Sequence, residues 1–205
     1  MQLQEKQIAR RDRMLAAARA CFMEKGLKGT SLDDIIAQTG GSRRNIYDLF
    51  GDKEGLFEAV LLQLIGEILE KADVLPDAEM EPRQWLEEFG RRFLRGMLSP
   101  VVIGAFRQLI AISADRRDLG RQAYRRGPAV LHGKLAAYLE TQVARGTLEV
   151  ADPLAAARML TEMIKGDFQL RLLMTGQREF SDEEIAAHVQ KAVRLFLDGT
   201  RPRPG

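Results

Sequence analysis

A single cysteine in 205 residues, Cys21, leaves no partner for an internal disulfide, so a disulfide-stapled fold is excluded. Cys21 stands in line with Ala18 and Phe22 at helical spacing and reads as a small core residue rather than a redox sensor. Aromatic residues make up only 6% of the chain, which argues against a large aromatic ligand cage. No apolar run is long enough to span a bilayer, and none reads as a secretory signal, so the expected location is the cytoplasm, with no membrane partner. The formal net charge is only +2, too small to argue for nucleic acid by itself; the placement of the charges has to carry that inference. The two histidines, His132 and His188, lie far apart, and the cysteine has no obvious base beside it. There is no P-loop, no dinucleotide-binding glycine pattern and no zinc-ligand spacing, so neither a cofactor nor a metal is expected, and an enzyme fits poorly. Internal repeats are absent as well.

What the chain does have is apolar residues, 45% of the total, enough for a substantial core. They recur at helical spacing almost throughout, and no alternating stretch with turn signals argues for a sheet. Leu56, Phe57, Val60, Leu61, Leu64, Ile68 and Leu69 form one amphipathic run that Asp52 can cap. Pro76 and Pro82 frame a loop, after which Trp85, Leu86, Phe89, Phe93 and Met97 continue the pattern to Ser99-Pro100. Further runs follow from Val101 to Ile110 and from Pro128 to Val143, while Asp115, Asp118 and their arginine neighbours read as a solvated loop or helix end. The expected fold is all-α. A tail from Thr200 to Gly205, with Pro202 and Pro204, reads as unstructured.

The richest segment is residues 28–57. Thr30 and Ser31 precede a helical run, and Asp34 follows Ser31 at capping-box spacing. Leu32, Ile35 and Ile36 share one face of that run. Gly40-Gly41 permits the left-handed backbone that ends a helix and turns the chain. Ser42 then starts a second helix with Arg43, Arg44 and Asn45 in its first turn, and Ile46, Leu49 and Phe50 on its inner side. Those are the parts of a helix-turn-helix, whose second helix touches base edges in the major groove with its N-terminal residues. Arginine suits guanine and asparagine suits adenine there, because each can make two hydrogen bonds at once. Arg44 and Asn45 are the first candidates for base reading, with Arg43 next. Thr30, Ser42, Tyr47 and Lys53 are candidates for phosphate contact, which positions a duplex without reading it. Lys53, in the first turn of its helix, opposes the helix dipole, and a nearby phosphate would explain that. Lys6, Arg10, Arg11 and Arg13 cluster where an arm before the first helix would meet DNA, or simply where a solvated helix begins.

From Met14 to about Val60 the chain resembles the TetR family of bacterial transcription regulators. The likeness is carried by Ala20-Cys21-Phe22, Glu24-Lys25-Gly26, Thr30-Ser31-Leu32, Asp34-Ile35-Ile36-Ala37, Gly40-Gly41-Ser42, Ile46-Tyr47, Phe50, Lys53-Glu54 and Leu56-Phe57. It favours Tyr47 as a DNA contact over a core aromatic with its hydroxyl at the rim. Departures are Gly41, where the family carries a small branched apolar residue, and Asp48-Leu49, where aromatic or basic residues are common. A weaker likeness, over Met163-Ile164-Lys165-Gly166-Asp167 and Arg171-Leu172-Leu173, is to the C-terminal domain of the family's AefR-like branch.

In the last third, Asp152-Pro153 is a cap with proline at the first helical position, and Ser181 with Glu184 makes a second capping box. Read as one helix, the segment after Pro153 is apolar over most of its circumference, with a narrow polar side of Arg158, Glu162, Lys165 and Gln169. Such a helix is buried on more than one side, one of them against a second subunit. The expected dimer surface is Leu160, Ile164, Phe168 and Leu172, with Ile185, Val189, Val193 and Phe196 from the last helix. Asp167 and Arg171 stand four apart inside the apolar arc, either as an ion pair fixing the dimer register or as a polar contact for a ligand. Gly166 beside them reads as a close-packing position.

The expected organisation is a helix-turn-helix domain over residues 1–52, a larger helical effector-binding and dimerisation domain over 53–200, and the tail 201–205. The resemblance implies a dimeric, sequence-specific DNA-binding regulator, a repressor released from a palindromic double-stranded operator by a small molecule. Candidate pocket residues are Trp85, Phe89, Phe93, Met97, Phe106, Tyr124, Tyr138, Met159 and Met163, with Asp167 and Arg171, although most are core by base rate. The alternatives are a helical adaptor that does not use its DNA-binding domain, which the presence of Arg43, Arg44 and Lys53 disfavours, and a small helical enzyme.

Overall fold

The computed structural model describes residues 2–71, 80–113, 117–176 and 180–200. Its helices are α1 (Gln2–Gly29), α2 (Leu32–Thr39), α3 (Arg43–Phe50), α4 (Lys53–Lys71), α5 (Pro82–Leu98), α6 (Pro100–Ser113), α7 (Arg117–Arg126), α8 (Pro128–Ala144), α9 (Pro153–Lys165), α10 (Phe168–Thr175) and α11 (Asp182–Thr200). No strand occurs among the described residues, as the periodicity predicts. The sequence readings on Pro76, Asp115 and the tail 201–205 fall outside the described residues.

The chain forms two compact units, residues 1–67 with 104–123 and residues 68–103 with 124–205. The boundary expected from sequence, between 52 and 53, lies within the first of these units. α4 extends the first unit because its apolar face closes on α1: Phe22 and Phe57 meet edge to face at 5.0 Å, and Leu56, Phe57, Val60, Leu61 and Leu64 are buried. Arg19 Nη1 also reaches Glu67 Oε2 at 2.6 Å. Each apolar side chain of this size contributes about 1.5–3 kcal/mol on full burial, so the interface outweighs the half-exposed ion pair. Cys21 is buried in the same core, as expected.

In the second unit, α5 turns Trp85, Leu86, Phe89, Phe93 and Leu94 inward, and α11 answers with Ile185, Val189, Ala192, Val193, Phe196 and Leu197. The two helices approach closely because residue 90 is glycine: a Cβ there would stand 2.5 Å from Val189 Cγ1. Leu131, Leu135 and Leu139 of α8 complete the core with Ala157, Leu160 and Ile164 of α9. The cap at α9 forms as read, with Ala155 N–H donating to Asp152 Oδ1 at 2.9 Å. At α11 the Ser181 hydroxyl accepts from Glu184 N–H at 3.1 Å.

Three readings of this region are corrected. The segment from Pro153 is two helices, broken at Gly166, whose φ of 50° is left-handed. The break is fixed from outside: the His188 imidazole of α11 sits against Gly166, and Nε2–H donates to the carbonyls of Met163 at 3.1 Å and Ile164 at 3.0 Å. Second, Asp167 and Arg171 lie at the surface, 3.9 Å apart, and Arg171 also pairs with Glu184 at 3.3 Å and covers the Phe180 ring. Third, Leu160, Ile164, Phe168, Leu172, Ile185, Val189, Val193 and Phe196 are buried within the protomer and have almost no surface left for a partner. A wheel drawn through the break mixes two helices that each bury a stripe of their own. Asp118 is exposed in the first turn of α7, a solvated helix end as read, and of that helix Leu119 and Ala123 are buried.

Candidate nucleic-acid interface

The helix-turn-helix assembles by local rules. Ser31 caps α2 through the full capping box: its hydroxyl accepts from Asp34 N–H at 3.1 Å, and its own N–H donates to Asp34 Oδ2 at 2.8 Å. The Ser31 hydroxyl and backbone N–H, together with the Lys25 ammonium, hold the Asp34 carboxyl well below the usual carboxylate range. Gly40 ends α2 at φ 66°, its N–H donating to Ile36 O at 2.9 Å. Ile35 and Ile46 are fully buried and fix both helices to the unit's core.

That anchoring turns the other face of α3 outward. Arg44 is 88% exposed, with a long, 3.8 Å pairing to Asp48. Tyr47 is 53% exposed. Ser42 takes the extended N-cap conformation, but its hydroxyl makes no bond to the helix and faces outward. Asn45 is half-buried and lines a polar cleft of about 510 Å³ with Arg10, Arg13, Met14, Thr39, Gly40, Gly41 and Ser42. Arg43 is exposed yet engaged, its guanidinium gripping Asp33 of α2.

Two of the expected phosphate contacts have internal partners. Thr30 is buried, and its hydroxyl donates to Cys21 O at 3.1 Å and Gly26 O at 2.8 Å. Lys53 Nζ donates to Leu27 O at 3.0 Å and Thr30 O at 2.9 Å. Carbonyls left over at the end of α1, where Gly26 (φ 71°) kinks it, thus account for the lysine in the first turn of α4 without a phosphate. The basic cluster is not an arm before the first helix either, because α1 already starts at Gln2. Arg10 and Arg13 reach the α2–α3 turn from within it, and Arg11 lies over the Phe50 ring at 5.6 Å. Asp33 was missed by sequence reading; its only signal is an acid ten residues before an arginine, meaningful once the turn's geometry is known.

The pocket candidates do not form one group. Phe106 belongs to the first unit, and Tyr124 and Met159 are exposed. Trp85, Phe89 and Phe93 are core residues stacked in series, with ring centroids 5.6 and 5.8 Å apart. Met97, Tyr138 and Met163 pack half-buried against the core of this unit, and Tyr138 stacks on Trp85 at 3.5 Å. Burial pushes the Tyr138 phenol up to about 12, and its hydroxyl, like His132 Nδ1, has no hydrogen-bond partner among the described residues. His132 Nε2 bonds to Thr161 Oγ1 at 3.1 Å, and burial, with Arg158 nearby, lowers its basicity.

A capped, glycine-turned helix pair offering arginine, serine, asparagine and tyrosine on one outer face defines the class as a helix-turn-helix DNA-binding regulator. Residues 14–60 match the family model for bacterial regulatory proteins of the tetR family, and residues 84–199 match that for the C-terminal domain of AefR-like transcriptional repressors. The chain belongs to the TetR family of transcription regulators, and its residues 84–199 are of the AefR-like kind. Among its relatives, the repressor AcnR of Corynebacterium glutamicum is 28% identical over 187 residues, covering 90% of this chain and 92% of AcnR. A solved TetR-family regulator from Mesorhizobium loti is 26% identical with a TM-score of 0.84, covering 96% of this chain and 98% of its own. The flavonoid-responsive regulator FrrA is also 26% identical, with a TM-score of 0.82 and coverage of 96% and 99%. The relatives are named as transcriptional regulators. No single helix among the described residues is long and apolar enough to cross a membrane.

Proposed function

We propose that the protein is a dimeric repressor that reads a near-palindromic operator with α3 of each protomer and leaves it when a small molecule binds the second unit. The observation that carries the DNA reading is the outer face of α3, where Arg44 stands almost fully exposed beside Ser42, Asn45 and Tyr47. Arg44 and Asn45 are the base readers in this proposal. Ser42 and Tyr47 supply phosphate contacts, and Arg10 and Arg13 add positive charge at the cleft beside them.

Dimerisation is supported by apolar residues left on the outside of α9–α11, notably Met159, Leu170, Met174 and Leu195, rather than by the eight interior residues. A two-fold dimer presents two recognition helices to half-sites about one helical turn, ~34 Å, apart. A small-molecule effector is supported by the aromatic series from Phe93 to Tyr138 with its unpartnered hydroxyl, and by the likeness to FrrA. An effector that favours the wrong spacing must weaken DNA binding by the same coupling free energy with which DNA weakens its own binding. The test is selection of genomic fragments by the purified protein at moderate salt, repeated with flavonoids present. Enrichment of a near-palindromic site is the expected result. If folded protein enriches no fragment, with or without cell extract, the reading fails.

A further inference from the structure

Arg43 and Asp33 stand in the first turns of α3 and α2, and they meet side on. Arg43 Nε–H donates to Asp33 Oδ1 at 3.0 Å, and Nη2 donates to Oδ2. A guanidinium carries five N–H groups in a rigid planar fork. The side-on grip engages the Nε–H and one N–H of Nη2. Three remain, and two of these, one on each terminal nitrogen, form the end-on pair of the fork. That end-on pair is the one whose spacing matches O6 and N7 of guanine in the major groove.

We propose that Asp33 is a positioning residue for base reading, whose carboxylate fixes the Arg43 fork so that its end-on N–H pair meets one guanine in each half-site. This rests on the DNA-reading function proposed above. Both side chains are exposed, 63% for Arg43 and 66% for Asp33, and an exposed pair adds little to folding stability. Its effect lies instead in preorganisation: a long side chain already held in one geometry loses less freedom on binding. A carboxylate on a surface that approaches phosphates also repels them, which lowers affinity for every sequence alike and leaves the contrast between sequences to the Arg43 contact. The Arg43 hydrogen bond holds the Asp33 carboxyl below its usual range, so Asp33 is a carboxylate at neutral pH.

The test uses the full-length protein and the site it selects from a random duplex pool, with binding then measured on that site and on its single-base variants. Arg43→Ala is expected to lose preference for guanine at one position per half-site, by roughly five- to hundredfold, the range for one bidentate contact. Asp33→Ala is expected to lower the same preference at the same position by about fivefold or more, while binding to unselected DNA tightens because a negative charge is gone. The double variant should be no less selective there than Arg43→Ala alone. Asp33→Asn, which keeps the size and one acceptor, should fall between wild type and Asp33→Ala. Undiminished guanine preference in Asp33→Ala would overturn the proposal, including the case in which affinity rises on all DNA and Asp33 only withholds Arg43. So would the absence of any position-specific loss in Arg43→Ala. Both outcomes leave a wild-type protein that selects a site; a wild type that selects none removes the DNA-reading function and this proposal together.

Discussion

Replacing Lys53 by methionine keeps the aliphatic stem and removes two charge-assisted hydrogen bonds, to the carbonyls of Leu27 and Thr30. A hydrogen bond to a charged group contributes about 1.5–3 kcal/mol, giving roughly 3–6 kcal/mol for the pair as an upper bound. Both bonds are only partly buried, so water replaces part of that, and removing a cation from the first turn of α4 returns about 0.3–1 kcal/mol. The net expectation is a loss of about 2 kcal/mol in the first unit. Trp85 fluorescence would not report it, because the tryptophan lies in the second unit. Amide hydrogen exchange across α1–α4 is the appropriate assay, paired with DNA affinity at several salt concentrations. Protection in these helices should fall by the stated amount while the slope of log affinity against log salt stays at the wild-type value. The opposite pattern, full protection with a slope shallower by about 0.9, would mean that Lys53 engages a phosphate and that the carbonyl account is wrong.

Other substitutions test the backbone and the core. Gly40→Ala must hold alanine at φ 66° and is expected to lose about 1–2 kcal/mol, whereas Gly41→Ala meets only ordinary contacts and should be neutral or gain about 0.4–1 kcal/mol; thermal melts of the pair decide. Gly90→Ala drives a Cβ into Val189 and should lose about 1–3 kcal/mol by overpacking, read from the Trp85 fluorescence transition in guanidinium. Tyr138→Phe removes a buried hydroxyl that has no partner among the described residues and should leave stability at neutral pH unchanged or slightly higher. Because the folded phenol is pushed up to about 12, the wild type should hold its stability below pH 10 and lose it as pH rises from 10 toward 12. Tyr138→Phe should abolish that particular decline in an alkaline unfolding series.

What could be read from sequence was local. The Ser31–Asp34 box, the Gly40 turn and the Asp152-Pro153 start each act within a few residues, and all three form as read. The stripe from Ile185 to Leu197 was readable because α11 is straight and amphipathic. What escaped depends on partners distant in the chain. One glycine in an apolar run gives no sign that the helix stops, since the side chain that fixes the break, His188, comes 22 residues later. The acid that grips Arg43 belongs to α2, and the carbonyls that hold Lys53 belong to the end of α1 and the link that follows it; only the turn and the kink at Gly26 bring them into reach. The outward, polar face of α3 was legible, but which of its cations are already engaged was not.

The imidazole at the end of α9 has a consequence for how helices slide. One ring nitrogen of α11 meets two consecutive carbonyls of α9, beside a residue that must be glycine to admit the ring. Sliding α11 by a residue along its axis would carry the ring off both oxygens and against side chains on either side. The contact therefore works like a key in a slot, free of cost only at one setting. A motion of the second unit that respects it has to carry α9 and α11 together as a block, and bending falls to the segments on either side of that block.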